Sequence, residues 1–208
     1  MAYSVLVAED QRIARMLIET ILDKSERYTL VQSLESAEET AELCRATRID
    51  LVLMDVLFPD GLNGIDAARR IKAVSPHTKV VIMTSMPEVS YLRRAREAGV
   101  DSFWYKEVQE LPLLTLMDRT MAGEHIYPDA TPSLNMGNAL SVEFTDREIE
   151  VLREILRGLT NAEIAARLGI SENTVKIHVA HMLEKTGYPN RIVLAVQARA
   201  LGVVVNDP

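Results

Sequence analysis

The sequence predicts an α/β domain built on a doubly wound, five-stranded parallel sheet, followed by a smaller all-α domain of four helices. First, five short apolar runs alternate with segments of helical periodicity through residues 1–122. Second, residues 123–142 lose this periodicity and are interrupted by Gly, Pro and Asn, as is typical of a linker. Third, helical periodicity alone continues through residues 143–208.

The composition is that of an ordinary globular protein. Its 208 residues fit one large domain or two small ones, and 48% of them are hydrophobic. The net charge is −7, and no apolar stretch approaches membrane-spanning length. The acidic pair Glu9–Asp10 lies so close to the first residue that we expect no signal peptide. The single cysteine, Cys44, excludes an internal disulfide and is expected to be a packing residue, so we expect a cytoplasmic protein without a membrane partner.

Each element of the α/β domain has a sequence signature. Short β-rich runs predict five buried strands: Ser4–Ala8, Tyr28–Ser33, Leu51–Met54, Lys79–Met83 and Ser102–Tyr105. Helical periodicity predicts five helices: Gln11–Lys24, Ala37–Arg45, Gly64–Val74, Glu88–Ala98 and Leu111–Ala122. Ser36 and Glu39 are expected to form a capping box at the second helix. Such alternation predicts helices on both faces of the sheet.

Reactive side chains follow four of these strands at the point where each strand ends: Glu9 and Asp10, Asp55, Thr84, and Lys106. In the flavodoxin-like strand order 2-1-3-4-5, the switch point lies between the first and third strands, and ligand sites form outside the carboxyl ends of the strands. We therefore expect three carboxylates, a hydroxyl and an amine to converge at one edge of the sheet.

These groups suit a divalent cation and a phosphoryl group. Mg²⁺ prefers oxygen ligands, and clustered carboxylates repel one another without a cation. An aspartate can form an aspartyl phosphate, and a metal, Lys106 and the Thr84 hydroxyl can together stabilise the phosphoryl oxygens. The alternative is that acidic residues follow strands because loops are polar. That alternative accounts for the Glu9–Asp10 pair more easily than for all four strand ends together.

With these motifs, residues 1–122 resemble the receiver domain of two-component response regulators. The resemblance implies that Asp55 is the phosphoacceptor. It implies Mg²⁺ ligands from three side chains and one backbone carbonyl: Glu9, Asp10, Asp55 and Leu57. It also implies switch and phosphate-contacting residues: Thr84, Lys106 and Phe103. Phe103 has a packing interpretation as well, because aromatic residues on a final strand commonly fill the core.

Three positions depart from the family pattern. The acidic pair is Glu9–Asp10 where Asp-Asp is commoner, which leaves open whether Glu9 meets the metal directly or through water. The loop Asp55–Gly64 is one residue longer than the usual turn. Glu107 follows the lysine where many receivers have proline, so a cis peptide is not expected there.

The C-terminal part predicts four helices: Asp146–Arg157, Asn161–Leu168, Glu172–Thr186 and Arg191–Leu201. Thr145 and Glu148 form a second capping box. Gly169 suits a tight turn before the third of these helices, and Ser171 is its natural N-cap. A buried stripe at spacing i, i+4, i+8 is expected along that helix: Val175, Val179 and Leu183. A helix docked in this way can lay its other face in a DNA major groove.

From about Glu143 to Gly202 the sequence is similar to the LuxR-type helix-turn-helix domain, and nearly the whole chain resembles a NarL/FixJ-type response regulator. The resemblance implies three groove-facing residues on one helix: Lys176, Ile177 and Ala180. Thr174 belongs to the matching motif and is also expected to bind DNA, while Asn173 and His181 can either touch phosphates or remain solvated. Lys176 can reach a guanine edge or a phosphate, whereas Ile177 and Ala180 offer apolar contacts.

The charge of the C-terminal part argues for dimerisation. Glu143–Pro208 contains nine acidic and eight basic residues, a net charge of −1, whereas strong nucleic-acid binders usually carry a basic excess. Binding of two copies to two half-sites would supply the missing affinity. An apolar stripe on the last helix suits this contact: Val193, Val196 and Ala200.

We expect a phosphorylation-dependent transcription regulator rather than an enzyme. A sensor histidine kinase would phosphorylate Asp55, and the homodimer would bind a double-stranded DNA operator. One alternative is a regulator of the same fold that works without phosphorylation. The other, much less favoured, is an aspartyl-phosphate phosphatase of the haloacid dehalogenase type, which needs a second aspartate where Leu57 stands.

Overall fold

The computed structural model describes residues 2–59, 62–88, 90–106 and 111–204. The chain divides into two compact units, one holding the large sheet and one holding the C-terminal helices, and each is described by itself. The expectations for Glu107 and for positions 60–61 of the Asp55–Gly64 loop lie outside the described residues.

The first unit contains a parallel sheet of five strands in the order β2-β1-β3-β4-β5. The strands are β1 Tyr3–Ala8, β2 Tyr28–Leu34, β3 Leu51–Asp55, β4 Lys79–Thr84 and β5 Ser102–Tyr105. The predicted fold class and strand order are confirmed. Every residue of β3 is buried, which explains its almost uninterrupted apolar sequence: a parallel strand covered on both faces has no polar side.

Within the part of the chain that the structure describes, five helices cover this sheet: α1 Arg12–Asp23, α2 Thr40–Ala46, α3 Gly64–Val74, α4 Tyr91–Glu97 and α5 Leu113–Met121. On one face, α1 and α5 contribute Leu22 and Leu116 to a core that also contains Val5 and Leu53 from the strands. Cys44 is buried on α2, and burial raises the pKa of its thiol to about 11. Cys44 is therefore a packing residue, as expected.

The predicted start of α2 is wrong. The helix begins at Thr40, and no side chain caps its first turn. The Ser36 hydroxyl instead accepts a hydrogen bond from the backbone N–H of Glu38, at 3.1 Å. A serine that bonds two residues ahead makes a local turn, and this turn competes with the capping box. Helix α4 also begins later than predicted, at Tyr91 rather than Glu88.

The described residues of the second unit form four α-helices: α6 Asp146–Leu156, α7 Asn161–Leu168, α8 Glu172–Thr186 and α9 Arg191–Ala200. A short antiparallel hairpin precedes them, with β6 at Asn135–Met136 and β7 at Ala139–Leu140. Met136 and Ala139 are buried in the helical core, so part of the segment expected to be a linker is structured. The described residues contain no helix long and apolar enough to cross a membrane.

The helix caps of the second unit largely agree with those predicted from the sequence. Thr145 and Glu148 form the predicted capping box, in which the threonine N–H donates to the glutamate at 2.8 Å. An equivalent box at Thr160 and Glu163, which was not predicted, begins α7. Gly169 ends α7 in the left-handed region, at φ 66°, and the Ser171 hydroxyl accepts from the N–H of Thr174.

The buried stripe of α8 differs from the predicted one. Val175 is fully buried, but Val179 and Leu183 are only partly buried against the core. Met182 and Thr186 are buried instead. The i, i+4, i+8 spacing of the prediction drifts around the helix axis, whereas the observed spacing of seven and then four residues stays on one side of it. Because the buried residues of α8 form a narrow stripe, the exposed side of the helix is wide.

Candidate functional site

The carboxyl ends of β1, β3, β4 and β5 bring the predicted polar groups to one edge of the sheet. Glu9 and Asp55 are buried and Asp10 is half-buried. A carboxylate oxygen from each of these three residues lies within 4.8 Å of the others. Three oxygen donors this close together could hold one hard cation such as Mg²⁺.

Lys106 links two of these carboxylates. Its Nζ atom donates to Oδ2 of Asp55 at 2.7 Å and to Oε2 of Glu9 at 2.6 Å. Its backbone N–H donates to the carbonyl oxygen of Thr84 at 2.9 Å, which fixes the end of β5 against the end of β4. The other carboxylate oxygen of Asp55 accepts from the N–H of Val56 at 2.6 Å. The lysine thus already lies where it could neutralise a group attached to Asp55.

Burial and the neighbouring Asp55 charge together raise the pKa values of the other two carboxyl groups of the cluster. Burial raises the pKa of Glu9 to about 7, and the Asp55 charge adds to this effect while Lys106 opposes it. Burial and the Asp55 charge also raise the pKa of Asp10. Burial lowers the pKa of Lys106, but its contacts with Asp55 and Glu9 outweigh this, and the net pKa is raised. An added cation would relieve this repulsion.

The turn after Asp55 is tightly packed. Helix α3 is capped by Asn63, whose side chain accepts from the N–H of Ile65 at 2.8 Å. The N–H of Gly64 donates to the carbonyl oxygen of Val56 at 2.8 Å, which draws the helix onto the end of β3. Leu57, whose carbonyl oxygen the resemblance nominates as a metal ligand, lies half-buried in this turn.

Thr84 and Phe103, the two residues predicted from the family resemblance to act as a switch, are both buried. Thr84 is 1% exposed at the end of β4. Phe103 is fully buried, with its ring centroid 5.1 Å from that of Tyr105 and 6.2 Å from that of Tyr127. This packing agrees with the core interpretation of Phe103, and in this conformation its ring is not available at the surface.

Sequence reasoning missed one residue beside the acidic pair. Nη1 of Arg15, on α1, donates to the carbonyl oxygen of Glu9 at 2.7 Å and to that of Asp10 at 3.2 Å. Nη2 donates to a carboxylate oxygen of Glu35, just beyond β2, at 2.6 Å. No sequence motif identifies these partners, because they depend on how α1 and the ends of β1 and β2 pack together.

In the second unit, the face of α8 that was predicted to contact DNA is largely exposed. Five of its predicted DNA-contacting residues are exposed: Asn173, Lys176, Ile177, Ala180 and His181. Thr174 is partly buried, and its hydroxyl is hydrogen-bonded to that of Ser171 at 2.7 Å. Lys176 forms an ion pair with Glu172 one turn earlier, at 2.8 Å. His178 is half-buried, in keeping with a packing role.

The last helix presents an apolar surface beside a groove. Val196 is 57% exposed and Ile192, which was not predicted, is 70% exposed. Ala200 is also exposed, whereas Val193 is half-buried. Val196 and Ala200 line a groove of about 880 Å³ between α9 and the turn that follows α6. The predicted stripe is thus only partly on the surface, and Ile192 belongs with its exposed members.

The sequence matches two known families in the order of the two units. Residues 5–118 match the response regulator receiver domain. Residues 142–198 match the bacterial regulatory proteins of the luxR family. The first match includes all the residues of the acidic cluster and Lys106, and the second includes α6 to α8 and most of α9.

Several known proteins match this chain over nearly the whole length of both sequences. A nitrate/nitrite response regulator protein homolog of Haemophilus influenzae is 30% identical over 197 residues, covering 92% of this chain and 94% of the relative. The Fimbriae Z protein of Salmonella typhimurium is 28% identical over 205 residues, covering 95% and 96%. Among solved structures, the response regulator ChrA of a heme-sensing two-component system is 26% identical, with a TM-score of 0.52 and coverage of 98% and 99%.

A further structural likeness shows the fold alone. RcsB of Salmonella enterica serovar Typhimurium, solved bound to a promoter in the presence of a phosphomimetic, is 18% identical, with a TM-score of 0.64 and coverage of 98% of this chain and 100% of that one.

Proposed function

The chain belongs to the response regulators of the NarL/FixJ type, and from this premise we propose that it regulates transcription under the control of phosphorylation at Asp55. A receiver joined to a LuxR-type DNA-binding domain is the composition of a two-component transcription regulator. The domain boundaries that accompany this proposal are 1–122 for the receiver, 123–142 for the connection and 143–208 for the DNA-binding domain. We also propose a cytoplasmic location.

The observation that carries the proposal is the shared contact of Lys106 with Asp55 and Glu9 beside a cluster of oxygen donors. In the proposed reaction, a carboxylate oxygen of Asp55 attacks the phosphorus of a kinase phosphohistidine. The P–N bond breaks, and the imidazole leaves with its electron pair. Lys106 lies where its ammonium group can balance charge on the transferred phosphoryl group.

The acidic cluster fits Mg²⁺ in donor type and spacing. Glu9, Asp10 and Asp55 would hold the ion with the Leu57 carbonyl oxygen, with Glu9 in direct or water-mediated contact. When bound, the ion would supply positive charge to the phosphoryl oxygens. By resemblance to the family, the hydroxyl of Thr84, at the end of β4, would contact the same phosphoryl oxygens. Phe103 would be the switch aromatic residue. Both side chains are buried in the present conformation, so we propose that they move when Asp55 is phosphorylated.

For DNA recognition, we propose that α8 enters the major groove. Its exposed face carries the nominated contacts: Asn173, Lys176, Ile177, Ala180 and His181, with Thr174 at the start of the helix. We propose that phosphorylation favours a homodimer on a double-stranded operator. The exposed residues Val196 and Ala200 would contribute to its contact surface, with Val193 beside them. A sensor histidine kinase is the proposed phosphodonor.

Labelling of the full-length protein with acetyl phosphate tests the phosphoacceptor. We expect acid-stable labelling in Mg²⁺ that is abolished by Asp55→Asn or by chelation. Asp66→Asn, which removes a partly exposed carboxylate from α3, should label normally. Undiminished labelling of Asp55→Asn would contradict the assignment. A wild-type protein that takes no label but binds its operator would instead favour the phosphorylation-independent alternative.

The same labelling experiment addresses the phosphatase alternative. Leu57 stands where a haloacid dehalogenase-type enzyme needs its second aspartate, so this chain lacks a carboxylate at that position for general acid-base work. We expect the label on Asp55 to turn over slowly, without multiple turnovers of phosphate-ester substrates. Sustained hydrolysis of such esters by the purified protein would overturn the non-enzymatic proposal.

A further inference from the structure

Glu9 is held at every polar group of its backbone and side chain. Its N–H donates to the carbonyl oxygen of Leu34 at 2.9 Å. Its carboxylate oxygens accept from the N–H of Gln11 at 3.2 Å and from Lys106 at 2.6 Å. Its carbonyl oxygen accepts from Arg15 at 2.7 Å. Arg15 is therefore the side chain that fixes the peptide joining Glu9 to Asp10.

The second bond from the same guanidinium nitrogen extends this restraint. Nη1 of Arg15 also donates to the carbonyl oxygen of Asp10, at 3.2 Å. The two carbonyl groups belong to the two consecutive residues whose carboxylates meet Asp55 in the acidic cluster. The orientation of a peptide plane sets the direction of the side chains on either side of it. A guanidinium with several donors in a fixed plane can hold two such carbonyl groups at once.

Arg15 reaches these carbonyl groups from a sheltered position. Its side chain is 13% exposed, whereas its ionic partner Glu35 is 76% exposed. The ion pair with Glu35 is screened by solvent and contributes little energy. The bonds to the carbonyl groups are different, because removing a charged donor leaves buried or half-buried acceptors unsatisfied. The carbonyl contacts, and not the Glu35 pair, are expected to matter for the cluster.

We propose that Arg15 is a positioning residue for the cation site: it holds the carbonyl groups of Glu9 and Asp10 so that both carboxylates point toward Asp55. This inference rests on the proposed function, since it takes the cluster to be a Mg²⁺ site. Arg15 would act through the backbone carbonyl groups of Glu9 and Asp10 and not as a ligand of the ion. Its removal allows the two peptides to turn, which disperses the oxygen donors and weakens Mg²⁺ binding.

The test measures Mg²⁺ dissociation constants of the full-length protein by calorimetry, together with urea unfolding in EDTA. We expect Arg15→Ala to weaken Mg²⁺ binding by about tenfold, as is common when a residue that orients ligands is removed. Arg15→Lys keeps the charge and a donor nitrogen but loses the planar guanidinium, so it should bind Mg²⁺ more tightly than Arg15→Ala. Glu35→Gln should remain within about twofold of the wild type, because an exposed pair contributes little.

Arg12→Ala is the matched control, since it removes the same charge from an exposed position at the start of α1. We expect it to leave Mg²⁺ affinity unchanged. Equal weakening by Arg12→Ala and Arg15→Ala would show an effect of net charge and overturn the proposal. So would an Arg15→Ala protein that is less stable in EDTA but binds Mg²⁺ like the wild type, because its role would then be structural.

Two further outcomes are also decisive. If Arg15→Ala does not fold, Arg15→Lys takes its place: weaker Mg²⁺ binding in a folded protein supports the proposal, and wild-type binding overturns it. If the wild-type protein itself binds no Mg²⁺, the proposed function fails at its metal site. That result differs from failure of the Arg15 proposal alone, in which the wild type binds Mg²⁺ and the variants bind it equally well.

Discussion

Gly64 packs directly on the backbone of Asp55: a Cβ atom at residue 64 would lie 1.8 Å from the Asp55 carbonyl oxygen. No side chain can occupy that space unless helix α3 or the end of β3 moves. The first residue of α3 and the proposed phosphoacceptor are therefore a single packed unit. The position of the Asp55 carboxylate depends on the absence of a side chain nine residues later.

Gly64→Ala is expected to impair phosphorylation through this contact. The clash should displace the Asp55 peptide, reduce the rate of acetyl phosphate labelling by at least about tenfold and destabilise the fold by about 1–3 kcal/mol. Gly123→Ala is the control. That glycine has a φ of +94°, and among the described residues no atom beyond its two chain neighbours lies within 4 Å of its added Cβ, so the substitution strains the backbone without a clash. Equal loss of labelling in both variants would contradict the prediction.

The stability of the metal-free protein should depend on the ionisation of Glu9. Burial, with the Asp55 charge, raises its pKa from 4.5 to about 7 in the folded state. Between these two values the folded protein holds a proton that the unfolded chain has released. The free energy of unfolding should therefore fall as the pH rises from about 4.5 to about 7, and then level off.

Glu9→Gln should remove this dependence. At pH 8 in EDTA the variant is expected to be more stable than the wild type, by about 1–3 kcal/mol, because a buried charge is gone. At pH 5 the two proteins should be nearly equal, since Glu9 is then protonated. Urea unfolding at both pH values provides the measurement. A stability difference that is the same at pH 5 and pH 8 would show that Glu9 does not titrate in this range.

The strand order and the site edge could be predicted because they depend on strong, local patterns. Apolar runs mark buried strands, and parallel connections place all their carboxyl ends together, so Glu9, Asp55 and Lys106 had to lie near one another. The Arg15 contacts could not be predicted in this way. They depend on how α1 meets the ends of two strands, which no spacing in the sequence encodes.

Short and competing motifs were the other source of error. The hairpin Asn135–Leu140 has strands of two residues each, too short for any periodicity to show. Gly137–Asn138 at its centre is nevertheless a dipeptide typical of hairpin turns, and it could have identified the hairpin. The Ser36–Glu39 box failed because a nearer backbone donor, the N–H of Glu38, reached the serine hydroxyl. Pattern alone cannot rank two local hydrogen bonds of similar strength.

Lys176 is expected to contribute to operator binding. Lys176→Ala should weaken binding by at least about tenfold, which is about 1.4 kcal/mol. Measurements on a panel of single-base operator variants then distinguish two possible contacts of Lys176 with DNA. Loss of discrimination at one base pair indicates a contact with a base edge, whereas equal weakening on all variants indicates a phosphate contact. A change below about twofold would mean that α8 does not present Lys176 to DNA.

The exposed stripe of α9 should support binding to two half-sites. Val196→Asp places a charge on the proposed contact surface, where desolvation would be unfavourable. It should weaken binding to a two-half-site operator by at least about tenfold while leaving single half-site binding nearly unchanged. Gln197→Asp, which adds the same charge at the next, also exposed, residue, is the control. Equal effects of both substitutions would exclude a specific role for Val196.

The ion pair of Lys176 with Glu172 gives this lysine a counter-ion before any DNA arrives. A phosphate or base must therefore compete with a carboxylate of the protein's own, and the exchange leaves Glu172 beside a polyanion. Both side chains are roughly half exposed, so the pair by itself contributes little energy. The repulsion between Glu172 and backbone phosphates does not depend on the base sequence, so it opposes binding to random DNA and to the operator alike. Glu172→Gln should therefore tighten binding to both by a similar factor and leave the ratio of the two affinities nearly unchanged.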